Sequence, residues 1–198
     1  MSSWLGLLDT ADLLEKPEKL NNIEHLIRVP LVRQPDAYTC GVAAVLSVLA
    51  YYGIEIGYDD IAKSVKATPA DGVDHRNLIK FLKEKGLSVE LHKGMLLSDL
   101  QSFIDKGIPV ILVIQAWGKD PSKYESVWDT GHYVVAIGYD EYNVYFMDPA
   151  TLGNYTYIPR DELAKRWHDQ DQDIKLRQAG IVIKAEKKYE ADEIKKLN

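Results

Sequence analysis

The chain has 198 residues, 46% of them hydrophobic and 27% charged, with a formal net charge of -6. A chain of that length buries roughly 70% of the surface its unfolded form exposes, enough for one domain with a substantial core. The acidic balance and the lack of a Lys/Arg cluster argue against nucleic acid as a partner. The single cysteine excludes an intrachain disulfide and a thiolate zinc cluster.

In chain order, Met1-Ser2-Ser3-Trp4-Leu5 lacks a basic start and its apolar stretch ends at Asp9, so it does not read as a signal peptide and cytoplasm is the default compartment. Residues 9–27 read as a helical segment, and 29–32 as a short extended stretch. Residues 34–39 are turn-like; Cys40-Gly41 then opens an apolar helix running to Tyr52, with Gly53 placed to stop it. That run is too short for a bilayer, which needs about 20 residues, and apolar nearly all round, so it reads as the buried central helix. Two amphipathic helices follow over 59–65 and 74–85, then a strand over 87–92. Ser98 and Gln101 match a capping box for a helix over 98–106. Residues 109–114 are continuously apolar, as in a strand covered on both faces. A long aromatic-rich loop over 116–131 precedes a hairpin of strands 132–139 and 144–148; a helix over 161–168 and a strand over 180–184 follow. The order, helices first and then mostly strands, reads as α+β. Residues 1–28 read as an N-terminal helical extension, 29–184 as the domain and 185–198 as a charged tail.

Chemistry concentrates at Cys40. A lone thiol is more often a small buried hydrophobe than a nucleophile. A thiol at a helix start is different, because unpaired N–H groups and the dipole favour the anion, lowering a pKa of about 8.5 into the range of roughly 3.5 to 7.5. Gly41 beside it lets a substrate backbone approach. Of the five histidines, His25, His75 and His168 fall on predicted helices among charged neighbours, and His92 ends a strand beside Lys93; all four read as surface residues. His132 follows Gly131 and opens an apolar strand, which holds its ring on rigid backbone. Strand alternation puts His132, Val134 and Ala136 on one face. An even pairing register in the hairpin brings Asp148 beside His132, where a carboxylate would orient the ring; a one-residue slip points it away, leaving an Asp-Pro turn. Gln34, six residues before Cys40, can offer its amide as an oxyanion donor. Trp117, Tyr124 and Trp128, in the loop before His132, read as a lid or wall of a substrate cleft or, equally, as aromatics packed on the domain's own surface. Asp169, Asp171 and Asp173 alternate like the start of a calcium loop, but Ile174 stands where glycine is needed and no Glu closes the loop, so no metal site is expected.

Three stretches, Gln34 to Ala44, Gly131 to Tyr139 and Met147 to Ala150, together resemble the bacteriocin-leader-processing peptidases, family 39 of the cysteine peptidases, and especially their stand-alone relatives. The resemblance spans about residues 30–170. It implies a papain-like fold, with Cys40, His132 and Asp148 as a triad and Gln34 in the oxyanion hole. Two departures are visible: Thr39 stands before the cysteine where the processing enzymes commonly carry Asp, and no exporter or ATPase segment accompanies the domain. The reading is a thiol hydrolase acting on a peptide or related amide, needing no cofactor. Its rivals are a papain-like acyltransferase, in which an amine replaces water, and a non-catalytic peptide-binding module, which the presence of all four candidate residues disfavours.

Overall fold

The apolar run after Thr39 forms the central helix α1, Cys40–Tyr51, in which ten of twelve residues are buried. With no polar face to give to water, such a helix must be enclosed on all sides. It lies against a mixed-length antiparallel sheet, and Tyr51 and Tyr52 anchor its end by donating to the carbonyls of Gly107 and Ile183, both at 2.9 Å. The computed structural model describes residues 23, 25–118, 120–171, 174–187 and 196.

Helices α2, Tyr58–Ser64, and α3, His75–Glu84, follow α1; the Asp74 side chain caps α3 by accepting from the Arg76 N–H. After strand β2, Ser88–His92, comes helix α4, Leu97–Ile104. The cap expected from Ser98 and Gln101 is replaced there: the Asp99 carboxylate accepts from Leu96 N–H at 2.8 Å, which places negative charge at the helix start. Strand β3, Val110–Gln115, is buried along its whole length, in keeping with its unbroken apolar run. Strands β4, Gly131–Tyr139, and β5, Asn143–Met147, form the expected hairpin.

The sheet order is β2-β9-β3-β4-β5-β6, where β6 is Thr156–Pro159 and β9 is Gly180–Lys184. A two-residue strand β1, His25–Leu26, pairs with β4 at Gly138 and Tyr139. The expected helix over 9–27 therefore ends in a strand at its last described positions, and the rest of it lies outside the described residues; so does most of the tail expected over 185–198. Helix α5, Arg160–Arg166, stops two residues earlier than its sequence pattern implies. Trp167 turns inward and donates through Nε1 to Ala179 O at 2.9 Å, so His168 enters a separate hairpin of β7, His168–Asp171, and β8, Ile174–Arg177. This hairpin packs on β3 and β4. The fold is α+β and papain-like, as expected.

Candidate active site

Three elements bring their side chains together: the start of α1, the first residues of β4 and the turn after β5. The approach to α1 is set by Asp36, whose Oδ1 accepts from the N–H groups of Tyr38 and Thr39, both at 2.9 Å, and from the Thr39 hydroxyl at 2.7 Å. Thr39 is a good capping residue by type, yet this diversion leaves α1 without a side-chain cap. The first-turn N–H groups at Cys40 are thus available to an anion.

His132 is buried, 2% exposed, and its Nε2 lies 2.7 Å from Asp148 Oδ1. The carboxylate is itself held: Oδ1 also accepts from Ala150 N–H at 2.8 Å, and Oδ2 from the Thr151 hydroxyl at 2.7 Å. The other ring nitrogen, Nδ1, is buried without a close hydrogen-bond partner, and the Cys40 thiol is the neighbour that acts on the ring. Burial, the largest single influence, disfavours the charged imidazolium. Hydrogen bonding and charge from Asp148 and Cys40 outweigh it, pushing His132 up to about 9. Burial likewise pushes Asp148 up, but the interactions with His132, Ala150 and Thr151 prevail and hold it below the usual carboxylate range. The two shifts agree: each partner favours the charged form of the other.

The loop carrying Gln34 docks on this turn, with Gln34 N–H donating to Pro149 O at 3.0 Å. Gln34 is 7% exposed; its Nε2 donates to Asp36 O at 2.6 Å, and its Oε1 has no partner. One amide hydrogen is thereby spent on orientation and a second remains.

The other sequence candidates occupy distinct places. Trp117, 61% exposed and at φ 55°, rests its indole on the His132 ring with centroids 4.7 Å apart. Trp128 and Gly131 line a cavity of about 420 Å³ that the Cys40 residue also lines. Gly131 is required there for a reason within the protein: a Cβ would fall 2.4 Å from Asp169 Oδ2. Gly41 corrects the sequence reading, because its open side is filled by Tyr133, Leu78 and Val73 at 3.1–3.2 Å from where a Cβ would be. It serves close packing of α1, not approach of a ligand.

Two histidines read as surface residues are buried. His75, 2% exposed, sets Nδ1 2.6 Å from Asp171 Oδ2, and its backbone N–H donates to the same oxygen at 2.8 Å. His168, 4% exposed, packs against Trp128 with ring centroids 4.4 Å apart and tilted by 49°, and places Nε2 2.8 Å from Val127 O. The charged sequence neighbours of both concealed this burial. His25 is on a strand, not a helix, 3.0 Å from Asp105. The Asp169 and Asp171 alternation belongs to β7, and both residues line the cleft. Asp74, His75 and Asp171 lie close enough to hold a metal ion, but their donor atoms already bond one another and Arg76. Among the described residues no helix is long and apolar enough to cross a membrane.

Comparison with known proteins places these observations. The model of the Peptidase_C39 like family matches residues 26–173. The pediocin PA-1 transport/processing ATP-binding protein PedD of Pediococcus acidilactici is 25% identical over 134 residues, and the transport/processing ATP-binding protein ComA of Streptococcus pneumoniae is 28% identical over 135. Each match covers 68% of this chain but 17% of the relative, so the chain corresponds to about a sixth of those proteins' length. Among solved structures, a peptidase of this type from Bacillus anthracis superposes with TM-score 0.64 at 20% identity, covering 82% of this chain and 98% of its own. The double-glycine-motif protease of an AMS/PCAT transporter, solved with its leader peptide, gives TM-score 0.57 at 21% identity over 81% of this chain and 94% of its own. The peptidase domain of Streptococcus ComA gives 0.57 at 19% identity over 79% and 97%.

Proposed function

The chain belongs to the Peptidase_C39 like family, and from that premise we propose that it is a cysteine peptidase in which Cys40 is the nucleophile, His132 the base and Asp148 the residue that orients the base. The observation that carries this reading is the state of one ring. His132 is buried, tied to a carboxylate through Nε2, and left with Nδ1 as the nitrogen for the neighbouring thiol. A ring charged up to about pH 9 sets a cation beside Cys40, which pairs with the thiolate once that anion forms.

In that pair the thiolate attacks the scissile carbonyl carbon. The oxyanion takes hydrogen bonds from the first-turn N–H groups of α1 and from the free amide hydrogen of Gln34. Collapse of the tetrahedral intermediate breaks the C–N bond, and His132 gives its proton to the leaving amine. The resulting thioester is cleared by water, which His132 deprotonates as it attacks. A peptide substrate is favoured by the family and by the leader peptide bound to the transporter protease of the same fold. Residues 29–184 would carry this activity, with 1–28 and 185–198 as extensions.

Alkylation of Cys40 by iodoacetamide across pH 4–10, in the parent and in His132→Ala, tests the assignment. Rapid reaction well below pH 8 that slows at least about tenfold in the variant is expected. Equal, ordinary-thiol kinetics in both proteins would remove the enzyme reading and leave a binding module.

A further inference from the structure

The cavity of about 420 Å³ beside Cys40 has a one-sided charge. Asp71, Asp129, Asp169 and Asp171 line it, and no Lys or Arg does. Only Asp171 is paired, with His75 at 2.6 Å; among the described residues Asp71, Asp129 and Asp169 form no ion pair with Lys or Arg. Lys175 and Arg177 lie over the Trp128 ring at 4.7 and 4.8 Å and do not line the cavity. Asp74 adds a further carboxylate behind Asp171, 3.7 Å from His75.

Carboxylates beside a nucleophile that must become an anion oppose its ionisation, so placing several there costs reactivity unless something else gains from them. Cys40, buried to 9% exposure, is itself a lining residue of this cavity, and that is the independent sign that a substrate enters it; the carboxylates then act on that substrate. Building on the peptidase reading, we propose that this cavity takes a cationic group of the substrate, a Lys or Arg side chain or a free amine flanking the scissile bond, selected by Asp71, Asp129 and Asp169. Asp169 is held in place to meet such a group, since Gln115 Nε2 donates to its Oδ1 at 2.9 Å, and it closes on the chain at Gly131, where no side chain intervenes. Burial pushes its carboxyl up to about 6, so an arriving cation also stabilises its ionised form. Burial pushes the Tyr133 hydroxyl up, and the neighbouring charges of Asp171, Cys40, Asp169 and Asp74 push it the same way.

Cys40 is the chain's one thiol, so its reaction with methanethiosulfonates reads the cavity directly. The thiolate attacks the sulfenyl sulfur, a disulfide forms and methanesulfinate leaves. The rates of the 2-(trimethylammonium)ethyl, methyl and 2-sulfonatoethyl reagents are compared at about 0.01 M ionic strength, where the Debye length is about 30 Å. The cation-to-anion rate ratio at Cys40 should exceed that of N-acetylcysteine amide by about tenfold, and fall at least about threefold in the Asp71→Asn, Asp129→Asn double variant or at 1 M salt. Both residues are exposed, so the variant keeps the core intact. A ratio matching the small thiol, or an excess insensitive to the double variant, overturns the proposal. The neutral reagent separates the two readings: slow, ordinary-thiol reaction with it counts against catalysis, while the charge ratio still decides the cavity's preference.

Discussion

The two walls of the cleft are held together in different ways. On one wall the proposed catalytic groups sit at the ends of elements locked by the main sheet and the central helix: His132 is the second residue of β4, Asp148 follows β5, and Cys40 begins α1. On the other, β7 and β8 form a two-stranded sheet of their own, fastened by side chains reaching across long stretches of sequence. Asp171 binds His75, 96 residues away, and Gln115 donates to His168 O and Asp169 Oδ1. The difference teaches that the proposed catalytic groups rest on backbone register, which tolerates little displacement, whereas the wall proposed to select the substrate rests on side-chain polar ties.

If that contrast holds, substitutions on the first wall should change rate and those on the second should change stability. The largest effect expected here is from Gln34→Ala: a fall in kcat of roughly 100- to 1000-fold with KM little changed, since only the developing oxyanion needs the donor. Steady-state kinetics on a cleaved peptide checks it, and an equal loss in binding would count against the oxyanion role. Asp148→Asn should also slow turnover, accompanied by titration of the His132 ring below its value of about 9 in an NMR pH series. An unmoved titration would break the link between the dyad and the rate.

The same pair gives a sign to stability. His132 is raised in the folded state, so its contribution is complete below about pH 6.5 and is lost as pH rises through about 9. Asp148 is depressed, so its contribution is present above the usual carboxylate range and is lost as pH falls through its lowered value. Both are in force between about pH 4 and 6.5, and Asp148→Asn should flatten both flanks of a denaturation series. On the second wall, His75→Ala should cost about 1–3 kcal/mol of folding stability by leaving Asp171 short of a partner, while changing the alkylation rate of Cys40 less than about twofold. A large rate change with little loss of stability would erase the distinction between the walls.

Legibility in the sequence divides along the same line. The apolar strand opened by His132 and the largely apolar runs of 42–52 and 109–114 announced the elements of the first wall, because burial of a whole element leaves a contiguous apolar trace. The tie between His75 and Asp171 leaves none: one histidine amid charged neighbours looks the same whether its ring meets water or a carboxylate from a distant strand. The short strands β1, β6, β7 and β8 also went unread, being two to four residues long and partly exposed. Asp36, which organises the approach to Cys40, is visible in the sequence only as a turn residue.

By itself the sequence determined the family, the α+β class, the helix that bears Cys40 and the strand that bears His132. Whether Asp148 meets that histidine was left to tertiary structure. Near the turn, β4 and β5 pair as Tyr139↔Val144 and Gly138↔Tyr145; continued unchanged, that register sets Asp148 opposite Val135, on the face away from His132. A bulge between Ala136 and Gly138 changes it to Val135↔Met147, which places Asp148 opposite Val134, on the face of His132. β1 docks at that point, with Ile27 N–H donating to Ile137 O at 2.7 Å and His25 O packed where a Gly138 side chain would be. Alternation fixes which residues of a strand share a face, but one inserted residue exchanges the faces between strands, and only the pairing partners decide whether it is inserted.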